Sequence, residues 1–180
     1  KNLYFIKLDL SDLESIKLFV NQFESKFSKL DLLINNAGVM NPPFLLTKQG
    51  FESQFSVNYL GHFMLTKLLL NSLGKVEKSK IVNVSSLAAE KATIDFDSFR
   101  NDKNYDKAYG QSKLALLLFT FKLNEYLKDQ KHSSLVFSAH PGFAKTNLHM
   151  NVNSLIRKIH VKYLQYRYAQ SAEKGISPIL

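Results

Sequence analysis

At 180 residues, with 45% hydrophobic residues and 14 phenylalanines, the chain carries enough apolar material for one domain over residues 1–180 with a single sizeable core, which excludes a disordered polypeptide. There is no cysteine, so disulfides and thiolate metal sites are excluded, and the composition fits a cytoplasmic setting. The net charge is +9, but the lysines are scattered and no dense basic run is interleaved with aromatics, so no nucleic-acid partner is expected. No apolar run approaches the roughly 20 residues that span a bilayer, and Lys1 to Asp9 reads as a strand rather than a secretory signal.

In chain order, short β-branched runs alternate with longer helical patterns, which predicts parallel strands joined by crossover helices. Leu3–Leu8 reads as the first strand, ending in Asp9. Ser11-Asp12-Leu13-Glu14 has the form of a capping box, with Ser11 as cap. Leu13, Ile16, Val20 and Phe23 follow at helical spacing, so 12–26 reads as an amphipathic helix. Leu30–Asn35, nearly all apolar, reads as a strand covered on both faces; it runs into Asn36-Ala37-Gly38 and a loop marked by Pro42 and Pro43. Phe51–Leu73 reads as one long helix stopped by Gly74. Lys80–Val84 reads as a strand leading into Ser85 and Ser86. A loop of roughly twenty residues follows, a length that is usually functional or mobile. Ala108–Asp129 reads as a helix, Ser134–Ala139 as a strand before His140-Pro141-Gly142, Val152–Gln165 as a helix, and a last helix starts near Ser171.

Every strand tip is polar or small: Asp9, Asn35-Asn36-Ala37-Gly38, Ser85-Ser86 and Pro141-Gly142. In open parallel sheets, ligands bind beyond the carboxyl ends of the strands. Tyr109 and Lys113 stand four apart on one helix face. An ammonium beside a phenol favours the phenolate, so Lys113 is expected to pull the Tyr109 pKa down from about 10. A phenol so tuned can act as general acid or base on an alcohol or ketone. His62, four residues after Asn58, reads as a packed histidine. His140, His149 and His160 lack metal-ligand spacing, so no metal is expected. No Gly-x-Ser-x-Gly motif supports hydrolase chemistry.

The string Leu32-Leu33-Ile34-Asn35-Asn36-Ala37-Gly38, then Val57-Asn58, Ile81-Val82-Asn83-Val84-Ser85-Ser86, Tyr109-x-x-x-Lys113 and His140-Pro141-Gly142-x-x-x-Thr146 resembles the short-chain dehydrogenase/reductase family over Leu3 to about Leu148. The gap between Ser86 and Tyr109 and the run Ser112-Lys113-Leu114-Ala115 resemble its retinol-dehydrogenase-like branch. The resemblance implies a catalytic set of Asn58, Ser86, Tyr109 and Lys113. Tyr109 would exchange a proton with the substrate oxygen. Lys113 would lower the Tyr109 pKa and hold the nicotinamide ribose. Ser86, with Ser85 as the alternative register, would hydrogen-bond the substrate oxygen. Asn58 would hold a water linking Lys113 to solvent. Asp9 and Leu10 would meet the adenine, and Asn36, Ala37 and Gly38 would line the adenosine side. Pro141, Gly142 and Thr146 would bind the nicotinamide carboxamide. The implied cofactor is NADP, with NAD the alternative, and the implied substrate is a small lipophilic alcohol or carbonyl, retinoid- or steroid-like.

The resemblance also implies an α/β, partial Rossmann-like doubly wound parallel sheet that lacks the family's first two strands, with their glycine-rich phosphate turn, and its last strand. In that strand order Leu3–Leu8 has no neighbour and Leu30–Asn35 has an open edge, so these residues alone are expected to bind dinucleotide poorly and to be unstable. The alternative to an oxidoreductase is a non-catalytic interaction module derived from the same fold. Helices 51–73 and 108–129 could form a homodimer, and the basic, aromatic tail Arg157–Tyr168 could touch a membrane surface.

Overall fold

The computed structural model describes residues 2–142 and 171–179. The expectations for Thr146, for a helix at 152–165 and for the tail 157–168 lie outside the described residues.

Among those residues, α1 (Leu13–Lys26) buries Ile16 and Val20, as its apolar spacing requires. Its cap is Asp12, whose carboxylate accepts from the Glu14 amide at 3.1 Å. Ser11 is not the cap: its amide and hydroxyl both donate to Asp9 Oδ1, at 2.9 and 2.6 Å, in an Asx turn. The Ser11 side chain is turned back to Asp9, and Asp12, one residue later, holds the cap position.

Three parallel strands, β1 (Leu32–Asn35), β2 (Lys80–Val84) and β3 (Leu135–Ala139), lie in the order β1-β2-β3. Asn35 stands opposite Asn83, and Asn83 opposite Ser138. Leu3–Leu8 is not a strand. Its residues are β-formers, but a strand exists only through pairing, and Leu3 and Phe5 are 96% and 91% exposed. β1 begins two residues later than expected, because the Leu30 amide donates to the Ser72 carbonyl instead.

The helix read as continuous from Phe51 is built in three parts. Buried Glu52 caps α2 (Ser53–Phe55), accepting from the amides of Gln54 and Phe55. A π-helical turn follows over Ser56–Leu60, and then α3 (Gly61–Gly74). The long loop after β2 contains three 3-10 turns, Leu87–Ala89, Phe96–Arg100 and Tyr105–Lys107. The 22-residue α4 spans Ala108–Asp129, and α5 spans Ala172–Ile176 with Ser171 as its cap.

One face of the sheet packs beneath α1, α3 and α4 in a core that includes Ile16, Leu69, Leu73, Ile81, Leu116 and Leu127. On the other face Ile179 packs with Val82 and Val84. This is the α/β sheet with parallel crossovers expected from the alternation of patterns.

Candidate active site

The first turns of α4 lie across the tip of β2, and the two are joined in both directions. The Ser85 hydroxyl donates to the Lys113 carbonyl at 3.0 Å, and Lys113 Nζ donates to the Val84 carbonyl at 2.8 Å. Ser85 is thereby held inside the fold. The next residue, Ser86, lies where its hydroxyl acts on the Tyr109 phenol and lowers its pKa, and its Oγ accepts from the Ala88 amide at 3.2 Å. Of the two serine registers, the structure brings Ser86 to Tyr109.

Tyr109 and Lys113 are buried, at 9% and 4% exposure, with the ammonium 5.9 Å from the centre of the phenol ring. The expected lowering of the Tyr109 pKa is not what the structure has. Burial raises it, and the Ser86 hydroxyl opposes this in part. The Lys113 ammonium is turned to the Val84 carbonyl rather than to the phenol oxygen. Burial acts on the lysine too and pulls its pKa down to about 8.

Asn58 sits in the π-helical turn and is fully buried. Its Oδ1 accepts from the Val39 amide at 2.8 Å, and its Nδ2 donates to the Val39 carbonyl at 3.0 Å and to Ser112 Oγ at 2.9 Å. Both amide protons are therefore committed within the protein, so the side chain clamps the turn after β1 rather than offering a donor to a water. Ser112, which completes the link by donating to the Tyr109 carbonyl at 2.7 Å, was not singled out from sequence. Gly38 lies between these groups: a β-carbon there would stand 3.1 Å from Asn58 Oδ1 and 3.5 Å from Lys113 Nζ.

His62 is a second residue that sequence reasoning passed over as packing. It is buried, with Nε2 2.8 Å from the Ala37 carbonyl and Nδ1 3.2 Å from Asn35 Oδ1. The Asn35 amide continues to Thr66 at 2.9 Å and to Asn83 at 2.8 Å, and Asn83 continues to Thr120 at 3.0 Å. A buried polar chain thus runs from the tip of β1 to α4. The available signal was its position four residues beyond Asn58, beside a polar strand tip.

The remaining expected residues fall as follows. Asp9 is exposed, with Oδ1 engaged by Ser11. The Leu10 side chain is in the core and not available to a ligand. Asn36 and Ala37 are exposed beyond β1. Gly142 adopts φ +66°, and its amide donates to His140 Nδ1 at 3.1 Å, which turns the chain after Pro141. Among the described residues no group of three or more His, Asp or Glu gathers as a metal site, and no helix is long and apolar enough to cross a membrane.

Comparison with known proteins identifies the family. Residues 1–156 match the family model for short chain dehydrogenase. The chain is 46% identical to human (Homo sapiens) retinol dehydrogenase 13 over 144 residues, 78% of this chain and 43% of that protein. It is 42% identical to the chloroplastic short-chain dehydrogenase TIC 32 A of Brassica napus over 153 residues, 79% of this chain and 48% of that protein. The chain thus spans about half the length of these curated relatives. A short chain dehydrogenase/reductase from Burkholderia phymatum, solved in complex with NAD, superposes with a TM-score of 0.70 at 19% identity, over 96% of this chain and 64% of that one. A strand-tip site built on Tyr109, Lys113 and Ser86, together with these matches, makes the chain a member of the short-chain dehydrogenase/reductase family, on its retinol-dehydrogenase-like branch.

Proposed function

We propose that these residues form the proton-transfer half of a nicotinamide-dependent oxidoreductase that interconverts an alcohol and a carbonyl compound. The observation that carries this reading is the placing of the Ser86 hydroxyl where it acts on the Tyr109 phenol, beside a buried ammonium. A nicotinamide cofactor, when bound, supplies or accepts the hydride. The residues present fit such a group. Asn36 and Ala37 are exposed at the strand tip, and Gly38 omits the β-carbon that would press on Asn58 Oδ1. Lys113 would hold the ribose hydroxyls: an ammonium has three donors, and the Val84 carbonyl engages one.

In the reducing direction Tyr109 gives its proton to the substrate oxygen as negative charge develops there. Ser86 steadies that oxygen by donating a hydrogen bond, its own Oγ already polarised by the Ala88 amide. In the oxidising direction Tyr109 takes the proton back. The burial that raises the phenol pKa keeps Tyr109 protonated but makes it a weaker acid. Lys113, once turned from Val84 towards the phenol, would work the other way.

The finer assignments belong to the same reading. NADP is proposed over NAD on the branch resemblance. A lipophilic substrate, retinoid- or steroid-like, is proposed on the branch resemblance; the cavity of about 420 Å³ beside Tyr109 has a mixed lining, with Met40, Ala88 and Ala92 next to Lys91, Asp106 and Lys107. Asp9, Pro141, Gly142 and Thr146 keep the roles the family pattern implies, whereas Asn58 is assigned to holding the turn after β1. A homodimer through α3 and α4 is supported by an apolar groove of about 400 Å³ that includes Phe63, Phe119, Leu123 and Tyr126. A cytoplasmic setting, with or without membrane contact, is part of the proposal.

Nicotinamide turnover with long-chain and cyclic aldehydes tests the function. Tyr109→Phe is expected to lower kcat by about 10²–10⁴-fold with the fold intact. Turnover that survives Tyr109→Phe unchanged would overturn the assignment.

A further inference from the structure

The buried ring of His62 lies between two oxygens. Ala37 O is 2.8 Å from Nε2, and Asn35 Oδ1 is 3.2 Å from Nδ1. A backbone carbonyl can only accept. A neutral imidazole has one N–H and cannot serve two acceptors. Two arrangements remove the conflict. In one the ring carries a second proton. In the other the Asn35 amide is turned by half a rotation, an orientation that only the hydrogen-bond network decides.

The second arrangement completes itself along the chain. With Asn35 turned, its nitrogen donates to Nδ1 and its oxygen accepts from the Thr66 hydroxyl, already at 2.9 Å. Asn83, 2.8 Å away, turns with it and donates to Asn35. The Thr120 hydroxyl, 3.0 Å from Asn83, then donates to Asn83 rather than to the Leu116 carbonyl. Every link keeps one donor and one acceptor. The first arrangement needs a cation in a site 2% exposed. Burial and the Lys113 charge both oppose that, and they hold the ring pKa down to about 4.

We infer that His62 is a positioning residue for the site. Its Nε2 donates to the Ala37 carbonyl while its Nδ1 accepts from the Asn35 amide, so that the Ala37–Gly38 turn is fixed against the Lys113 ammonium by a hydrogen-bond chain running in one direction from Thr120. Asn58 holds the other end of the same turn through both backbone groups of Val39. Two residues of one helical segment therefore grip the turn on either side of Gly38, where a β-carbon would crowd Asn58 Oδ1 and stand 3.5 Å from Lys113 Nζ. The consequence for catalysis rests on the oxidoreductase reading; the ring's protonation and its hold on the turn do not.

The test uses this chain without substrate or cofactor. Long-range proton–nitrogen spectra of ¹⁵N-histidine at neutral pH are expected to show His62 protonated on Nε2 alone. A proton on Nδ1, alone or with one on Nε2, overturns the inference. Two variants then separate positioning from packing. His62→Gln places an amide donor where Nε2 stood, and Lys113 is expected to titrate as in the parent. His62→Leu keeps an apolar body but frees the turn. Its melting point is expected to fall by about 4–8 °C, and the Lys113 pKa to rise towards its ordinary value as the turn moves off the ammonium. An unchanged Lys113 titration in His62→Leu would make His62 a core residue only. Nicotinamide turnover is measured separately, so a failure of the oxidoreductase reading appears there and not in these spectra.

Discussion

The carbonyl oxygen of Ala88 lies 3.1 Å from where a β-carbon on Gly110 would stand, and the Ala92 methyl carbon lies 3.3 Å from the same point. Ala88 also donates its amide to Ser86 Oγ, and the Ser86 hydroxyl acts on the Tyr109 phenol and lowers its pKa. Gly110 therefore sets how closely the Ser86 segment approaches α4. Gly110→Ala should push that segment outward by a few tenths of an ångström and draw Ser86 away from Tyr109. Two effects then part company. Melting temperature should hold or rise, since alanine is favoured over glycine in a helix by about 0.5–1 kcal/mol. The Tyr109 pKa should rise further, because the hydroxyl that lowers it is drawn away, and kcat should fall by about tenfold with KM little changed. Ring-labelled tyrosine titration with Tyr109→Phe as the blank reads the pKa. A drop in melting temperature with an unmoved phenol would mean that Gly110 serves packing alone.

The sequence made some elements legible and hid others for physical reasons. β2, β3 and α4 could be read because their apolar runs match the period of the structure they form, and the Tyr109–Lys113 pair because one helical turn sets its geometry. Leu3–Leu8 reads as a strand from its β-forming side chains, but the expected strand order already leaves it without a neighbour, and without one it does not pair. The Ser11 cap failed because the Ser11 side chain is turned back to Asp9, and Asp12 holds the cap position. The π-helical turn at Ser56–Leu60 and the work of His62 were hidden because both depend on partners far away in sequence: Asn35 and Ala37 are 27 and 25 residues from His62. The direction of the Tyr109 pKa shift was missed because sequence gives the spacing of Tyr109 and Lys113 but not their burial.

Lys113 destabilises the fold that needs it. Its pKa is about 8 in the folded chain and 10.5 when free, so the unfolded chain binds more protons between those values. Stability attributable to this residue therefore rises as pH increases from 8 to 10.5, by about 3 kcal/mol in all, and is at its lowest below pH 8. Lys113→Met should be more stable than the parent at pH 7, by less than that figure because the hydrogen bond to Val84 is lost. Its advantage should shrink as pH approaches 10.5. Urea titrations of both chains at pH 7, 8.5 and 10 check the sign, and an advantage that grows with pH would contradict the burial of a charged ammonium.

His62 acts at the other end of the pH scale. Its pKa is held at about 4 against 6.5 when free. The stability gained from the neutral ring is complete above pH 6.5 and is lost as pH falls from there through 4, by about 3 kcal/mol. The parent chain should weaken across that window while His62→Gln, which has no proton to gain, holds steady by comparison. The difference between the two chains isolates the histidine from carboxylates that titrate over the same range. Parallel acid curves would place the loss elsewhere.

Ser112 and Asn58 form the last link that can be tested as a pair. The serine hydroxyl donates to the Tyr109 carbonyl and accepts from Asn58 Nδ2, and both residues are fully buried. Ser112→Ala leaves an Asn58 proton without a partner and should cost about 1–3 kcal/mol. Asn58→Ala strips the Val39 amide and carbonyl of their side-chain partner as well, and should cost more. In the double variant the orphaned Asn58 proton is gone. The combined loss should therefore be smaller than the sum of the single losses by about 0.5–3 kcal/mol. Because Ser112 touches the carbonyl of Tyr109 and not its phenol, the single serine variant should lower stability while leaving the Tyr109 pKa in place, the reverse of the outcome for Gly110→Ala. Additive losses in the cycle would mean that the turn after β1 and the first turn of α4 are held independently of each other.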